Sequence, residues 1–472
     1  MAAYFRARIR AGGRFLVGDR GLAILDSVSR DFSWFRLASE GREALVLGAM
    51  EELVLRSVTT PTRLDGFSPM EVAERLRHLN GLVFFDSAGN LASGSSRPIS
   101  VISARPARLL KGSIFSARAQ ETLRVALANG PKLAGDRGFP LGGLCGWVDY
   151  EGDFVFGDYR EMLIYCHDDH SWWETGRLSE CLSETIEAPA EISPFTARTL
   201  RENFIQNVQR AKDWIAAGDI YQVNLSQAFT ATVRGDLFAL YEILREASPA
   251  PMAAYLHLDG REILCSSPES FLKISGRGIE THPIKGTRPR FSDPDEDRRS
   301  AYELQTSAKE ISELVMITDL LRNDLGQVCE FGSVEVSEML RLESLAQVHH
   351  LVSTVKGTLR PPVDAVAALA ACFPGGSITG APKKRAMEII QELEQTPRGI
   401  YCGSIGWLGY NGESSLNIAI RTLIRSGDQL IYQVGAGIVA DSDPEKEYEE
   451  TLHKAAGIRL AVERWQSRSV RR

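Results

Sequence analysis

Hydrophobic positions recur along this chain with two periods, and the periods divide it into helices and strands. Over residues 199–217, Phe204, Val208, Ala211, Trp214 and Ile215 form one helical stripe, and Gly218 follows as a natural terminator. Residues 71–79 repeat the pattern with Val72, Leu76 and Leu79 after a Ser68-Pro69 start. Residues 298–323 predict one long helix, with Leu314, Ile317, Leu320 and Leu321 as its core stripe. Asp443-Pro444 opens a last predicted helix whose first turns carry glutamates, as the helix dipole favours. Elsewhere the period is two. Ile279, Thr281, Pro283 and Lys285 alternate with Glu280, His282 and Ile284, and residues 220–229 and 417–425 read as strands as well. Pro283 has no N–H to give a ladder, so its strand is an edge or is ending. Residues 141–150 are glycine-rich and apolar, a buried strand with close backbone contacts. Residues 184–193, rich in Pro, Ala and Glu, read as a connection between a region 1–191 and a region 192–472.

Composition narrows the classes. The chain has 472 residues, 44% hydrophobic and 24% charged, the balance of a soluble globular protein. A net charge of -7 argues against general nucleic-acid binding. Seven cysteines without a Cys-x-x-Cys pair point to neither a zinc ribbon nor a disulfide framework. The first residues lack the apolar core of a signal peptide, and the apolar run 365–373 is too short to span a bilayer. The expectation is a reduced, cytoplasmic protein that does not enter a membrane.

Several polar groups then stand out. Lys285 is presented at a strand end beside Gly286, either as a plain turn lysine or, if desolvated, as a nucleophile. Glu269 follows the apolar strand 263–265 within Ser266-Ser267-Pro268-Glu269. Lys309 and Glu313 lie one helical turn apart, as do Glu450 and Lys454. His349 and His350 are adjacent on a strand, so only one of them faces any given site. Residues 375–380, Gly-Gly-Ser-Ile-Thr-Gly, lead into Ala381-Pro382 and then Lys383-Lys384-Arg385. A glycine-rich loop, a helix start with Pro382 near its first position and nearby cations make an anion site.

These motifs, His282-Pro283-Ile284-Lys285-Gly286-Thr287 first among them, resemble the chorismate-utilising enzymes, a family that includes component I of anthranilate synthase and of aminodeoxychorismate synthase. The resemblance runs from about Ser193 to Ala455. It implies an α/β (α+β) fold of large antiparallel sheets facing each other, with helices outside and chorismate between. In the family motif Pro-Ile-x-Gly-Thr, alanine at x is typical of anthranilate synthase, the alternative reading, and lysine marks aminodeoxychorismate synthase. Lys285 therefore implies amination of chorismate at C4, through a covalent lysine adduct, on the way to p-aminobenzoate and folate. Glu269 takes the family's general acid and base, which helps the C4 hydroxyl to leave. Glu313 and Glu450 take the magnesium ligands, and Mg²⁺ is the implied cofactor. Thr287, His350, Thr379, Gly380, Arg421, Gly435 and Lys454 take substrate contacts, with Arg421 gripping a carboxylate. Gln222 stands where isochorismate synthases carry a water-activating lysine, which argues against water as the nucleophile. Leu144-Cys145-Gly146 has no partnering histidine of a glutaminase, so ammonia is expected from a separate glutaminase subunit or from solution. Ile24-Leu25-Asp26-Ser27 and residues 248–252 are similar to parts of the family's tryptophan site, with Asp26 departing from it, and no regulation by tryptophan is assigned.

Overall fold

The computed structural model describes residues 6–8, 14–18, 21–25, 64, 66–87, 97–131, 138–184, 191–345 and 348–470. It divides into two units, Met1–Ser57 and Val58–Arg472. In the first, Arg6–Arg8, Arg14–Gly18 and Gly21–Leu25 form a three-stranded antiparallel sheet. Ile24 and Leu25 lie in its last strand, while Asp26 and Ser27 fall outside the described residues.

The second unit is built on two large antiparallel sheets. One has twelve strands, and its middle runs Met252–Leu258, Arg261–Ser267, Thr422–Ser426, Gln429–Ile438, Gln222–Arg234. The other has ten, beginning Ile284–Pro289, Val348–Thr358, Gly278–His282, Ser270–Ser275, Glu413–Asn417. Val223, Leu225, Ala436 and Ile438 of the first share one apolar core with Leu144, Phe156, Leu272 and Leu416 of the second. Facing sheets result because each strand turns alternate apolar side chains inward. A second core lies beneath helices Pro69–Leu76, Phe238–Ala247 and Ala456–Val470 on the twelve-stranded sheet. Strands from before and after residue 191 interleave in both sheets: Val83–Asp86 pairs with Met252–Leu258, and Gly143–Val148 with Ser404–Gly409. The chain is thus not parted into layers at the expected 191/192 connection.

Local chemistry explains most elements. Ser68 caps its helix through a reciprocal pair with Glu71, and Gly218, at φ 84°, closes Arg201–Ala217. All of Gly143–Val148 is buried, as its glycine-rich apolar run requires. Three expectations are revised. The helix expected over 298–323 is two, Pro294–Gln305 and Ala308–Gly326, because Ser307 caps the second with its hydroxyl. The strand expected over 417–425 is interrupted between Glu413–Asn417 and Thr422–Ser426, which belong to different sheets. The helix Pro444–Lys454 is followed by a further one, Ala456–Val470. Among the described residues no helix is long and apolar enough to cross a membrane. The seven cysteines are free thiols.

Candidate active site

Glu269 and Arg421 lie where the chain passes from one sheet to the other. Glu269 sits between Arg261–Ser267 of the twelve-stranded sheet and Ser270–Ser275 of the ten-stranded one. Arg421 sits on the return crossing, at φ 51°, a left-handed conformation that non-glycine residues seldom adopt. Backbone bonds tie the crossings together: Ile418 N donates to Glu269 O at 3.0 Å and Ser266 N to Arg421 O at 3.1 Å. Glu269 is only 7% exposed, and burial pushes its carboxyl above the ordinary range. A hydrogen bond from Ser377 and the charges of Lys285, Arg421 and Lys454 act against that rise without cancelling it. A buried carboxyl favouring its protonated form is equipped to give a proton. Burial also lowers the affinity of Arg421 for its proton, with Glu269 opposing.

Lys285 lies on Ile284–Pro289, at the end of the ten-stranded sheet, after the break that Pro283 imposes. Gly286 has φ 72°, a left-handed conformation that favours glycine, and a Cβ there would stand 2.6 Å from Leu304 Cδ1. The Lys285 Nζ lies 3.9 Å from Glu313 Oε2. Across from it is the twelve-stranded sheet: a Cβ added at Gly437 would be 3.6 Å from Lys285 Nζ and 2.8 Å from Gln222 Nε2. Gln222 is fully buried, and neither its Nε2 nor its Oε1 has a hydrogen-bond partner. Lys285, Gln222 and the Gly437 backbone therefore meet where the two sheets approach.

His350 comes from Val348–Thr358, beside Lys285. Its Nδ1 is 3.1 Å from Gly286 O and 3.1 Å from Thr287 Oγ1, while its buried Nε2 has no partner. Burial, then the Arg421 charge, lowers its pKa to about 4, so the ring is neutral. His349 faces away and binds Ser344 and Asp297.

The acidic groups come from two helices. Glu313, on Ala308–Gly326, is raised by burial and by its neighbours Glu310 and Glu450, against Lys285 and Lys309. Glu450, on Pro444–Lys454, is 2.7 Å from Lys454. Burial opposes its ionisation, but Lys454, Lys309 and Lys285 together hold it below the ordinary range. Lys454 also donates to Gly435 O at 3.1 Å, which engages that carbonyl. Lys309, which the sequence reading set one helical turn from Glu313 without giving it a role, belongs here, and so does Glu447. Lys309 lies 4.0 Å from Glu313 and 3.8 Å from Glu447, and Glu447 keeps a buried Oε2 with no partner.

The glycine-rich loop differs from the anion site expected of it. Thr379 is fully buried, its hydroxyl turned to Gly375 O and Gly376 O and its N–H to Gly376 O. It shapes the loop and has no donor left for a ligand. Lys383 turns inward to Asp324 Oδ2 at 2.6 Å and to the carbonyls of Cys372 and Pro374. Lys383 anchors the start of the loop, because buried carbonyls need donors more than the helix start needs an anion. Pro382 stands one position before the helix Lys383–Leu393. Gly380 has φ 150°, and a Cβ there would lie 2.2 Å from Gln222 O, so the loop rests directly on the Gln222 strand.

Residues 141–459 match the family model described as chorismate binding enzyme. The chain belongs to this family. It is 41% identical over 333 residues to aminodeoxychorismate synthase component 1 of Bacillus subtilis, covering 66% of this chain and 71% of that protein. It is 40% identical over 351 residues to anthranilate synthase component 1 of Methanothermobacter thermautotrophicus, covering 69% and 75%. The solved anthranilate synthase component I of Streptococcus pneumoniae superposes with TM-score 0.68 at 28% identity, over 77% of this chain and 93% of that one. The chain is accordingly a chorismate-utilising enzyme, and its relatives divide between two chemistries at equal distance. Chorismate carries two carboxylates. Lys285, Arg421 and Lys454 act on buried Glu269, and Lys454, Lys309 and Lys285 on Glu450, so several cations converge on these carboxylates.

Proposed function

We propose that this chain is the chorismate-aminating component of an aminodeoxychorismate synthase. The observation that carries the proposal is the amine of Lys285, 3.9 Å from Glu313 and within the field of buried Glu269. Glu269 gives its proton to the C4 hydroxyl, which departs as water. The Lys285 amine, freed of its proton, bonds to ring C2. Ammonia then bonds to C4 and the lysine amine leaves; the new C4 ammonium returns a proton to Glu269, giving 4-amino-4-deoxychorismate and restoring the enzyme. Arg421 holds a substrate carboxylate as a planar fork. Neutral His350 offers its Nε2 lone pair to a substrate hydroxyl.

Mg²⁺ fits the acidic groups. Glu313 and Glu447 are raised by burial and by neighbouring carboxylates, and the Glu447 Oε2 has no partner, all conditions that a divalent cation relieves. Among the described residues no three His, Cys, Asp or Glu are grouped to hold a metal by themselves. Glu313 and Glu450 would hold it with substrate oxygen and water, as Mg²⁺ prefers. Bound there it would neutralise a substrate carboxylate.

The relatives are named as component 1, which supports a second component here, a glutaminase that supplies ammonia. Glutamine is then used only in its presence. The second reading is anthranilate synthase component 1, favoured by the equally near relative of that name. One assay separates the two: chorismate, ammonium and Mg²⁺ with purified chain, products identified by mass. Aminodeoxychorismate is expected, and anthranilate with pyruvate would overturn the proposal. Chorismate without ammonium should leave a ring-derived mass on the peptide bearing Lys285, absent in Lys285→Ala.

A further inference from the structure

The strand Gln222–Arg234 carries Gln222 opposite Lys285, yet one of its edges is incompletely paired. Along one side it pairs with Gln429–Ile438 from Val223 to Thr232. Along the other it meets Gly380–Ala381 at Gln222 and Val223, and Thr196–Ala197 at Phe229 and Thr230. Between them, among the described residues, no strand pairs with residues 224–228 on this side. Asn224 and Ser226 are nevertheless buried, so their backbone groups need partners.

Asn224 N donates to Thr379 O at 2.8 Å, and side chains supply the next partners along the edge. Arg398 donates through Nη2 to Asn224 O at 2.6 Å, as a neighbouring strand's N–H would. Glu394 Oε1 accepts from Ser226 N at 2.7 Å, as a neighbouring carbonyl would. The two are locked together by a fork, Arg398 Nε to Glu394 Oε2 and Nη2 to Oε1, both 2.8 Å. The remaining arm, Nη1, donates to Ile378 O at 2.8 Å, and the guanidinium lies over the Tyr150 ring, 4.5 Å from its centroid. Ile378 directly precedes Thr379 and Gly380, and its carbonyl also accepts from Asn224 Nδ2 at 3.2 Å.

We propose that the buried Glu394–Arg398 pair acts as a side-chain strand that positions the chorismate-binding surface. It fixes the end of the 375–380 loop, while Lys383 fixes its start, and it sets the edge from which Gln222 faces Lys285. Arg398 is a positioning residue, acting through the backbone of Asn224 and Ile378. The proposal rests on chorismate lying between the sheets, as read above, and not on which product is made from it. Lysine cannot replace Arg398, since it lacks the fork that serves Glu394 and two carbonyls at once.

The test uses the full chain and the variants Arg398→Lys, Arg398→Ala and Glu394→Gln. Melting temperature gives the folded fraction, equilibrium dialysis gives the chorismate Kd, and steady-state rates with ammonium give kcat and KM. Glu394→Gln keeps the acceptor for Ser226 N and one bond from Arg398, so it stays folded if a larger change does not. Displacement of a positioned group by about 1 Å costs on the order of 100-fold in rate. Folded Arg398→Lys should lose that much in kcat/KM, with weaker chorismate binding, and guanidinium ion should restore Arg398→Ala toward the parent. Wild-type Kd and KM in folded Arg398→Lys or Glu394→Gln would overturn the proposal, leaving the pair a purely structural one. Dialysis reads binding whatever the product, so a different product would overturn the proposed reaction and leave this test intact.

Discussion

At the scale of the residue, His350 shows how burial sets chemistry. A carbonyl only accepts, so the Nδ1 beside Gly286 O carries the ring proton and Nε2 is left bare. Burial first, then Arg421, lowers its pKa to about 4, against about 6.5 in an unfolded chain. Between those values the unfolded state binds more protons than the folded one, so stability rises with pH there. The contribution is complete above about pH 6.5 and is lost as pH falls toward the folded value. Urea unfolding of wild type at pH 7 and at pH 4.5 should differ by more than in His350→Gln. Equal differences in both chains would mean that some other group carries the slope. Burial works in the opposite sense on Glu269, an acid, whose carboxyl it pushes up.

At the scale of the element, the decisive features are places where backbones approach without side chains. Gly437 is one. A methyl there would meet Gln222 Nε2 at 2.8 Å, while no neighbouring backbone stands nearer. Gly437→Ala should therefore fold, with a melting temperature close to wild type, and lose activity roughly ten-fold or more by displacing Gln222 toward Lys285. An active, equally stable Gly437→Ala would show that this contact is slack. Such elements were partly legible in the sequence. Helix stripes and caps at Ser68, Gly218 and Asp443 were readable because they depend on neighbours in the chain. Periodicity could not reveal the break at Ser307, where apolar spacing continues through a capping hydroxyl, nor the sheet crossing at Arg421, where alternation persists across two sheets. The inward turn of Lys383 and the closed hydrogen bonds of Thr379 were hidden for the same reason, since their partners lie in other elements. Motif resemblance singled out Lys285, Glu269 and His350 as candidates, while the surroundings of Lys309, Glu447 and Arg398 emerged only from the fold.

At the scale of the whole molecule, the site exists because two layers are held together. Glu313 belongs to a helix packed on Ile284–Pro289 and Val348–Thr358 of one sheet, and Glu450 to a helix packed on Gln429–Ile438 of the other. Lysines screen both carboxylates, Lys285 and Lys309 around Glu313 and Lys454 around Glu450. A cation held by both would therefore link the layers and free those lysines for an anionic substrate. Binding only to the folded chain raises the melting temperature by mass action. Mg²⁺ with chorismate should raise it in wild type and leave Glu313→Gln and Glu450→Gln unmoved. Chelator should abolish turnover, and added Mg²⁺ should restore it along a saturable curve. Either substitution should remove most turnover while circular dichroism stays that of wild type. Full turnover in chelator-treated protein would dismiss the metal from the reaction, leaving Lys285, Lys309 and Lys454 as counter-charges to the two carboxylates.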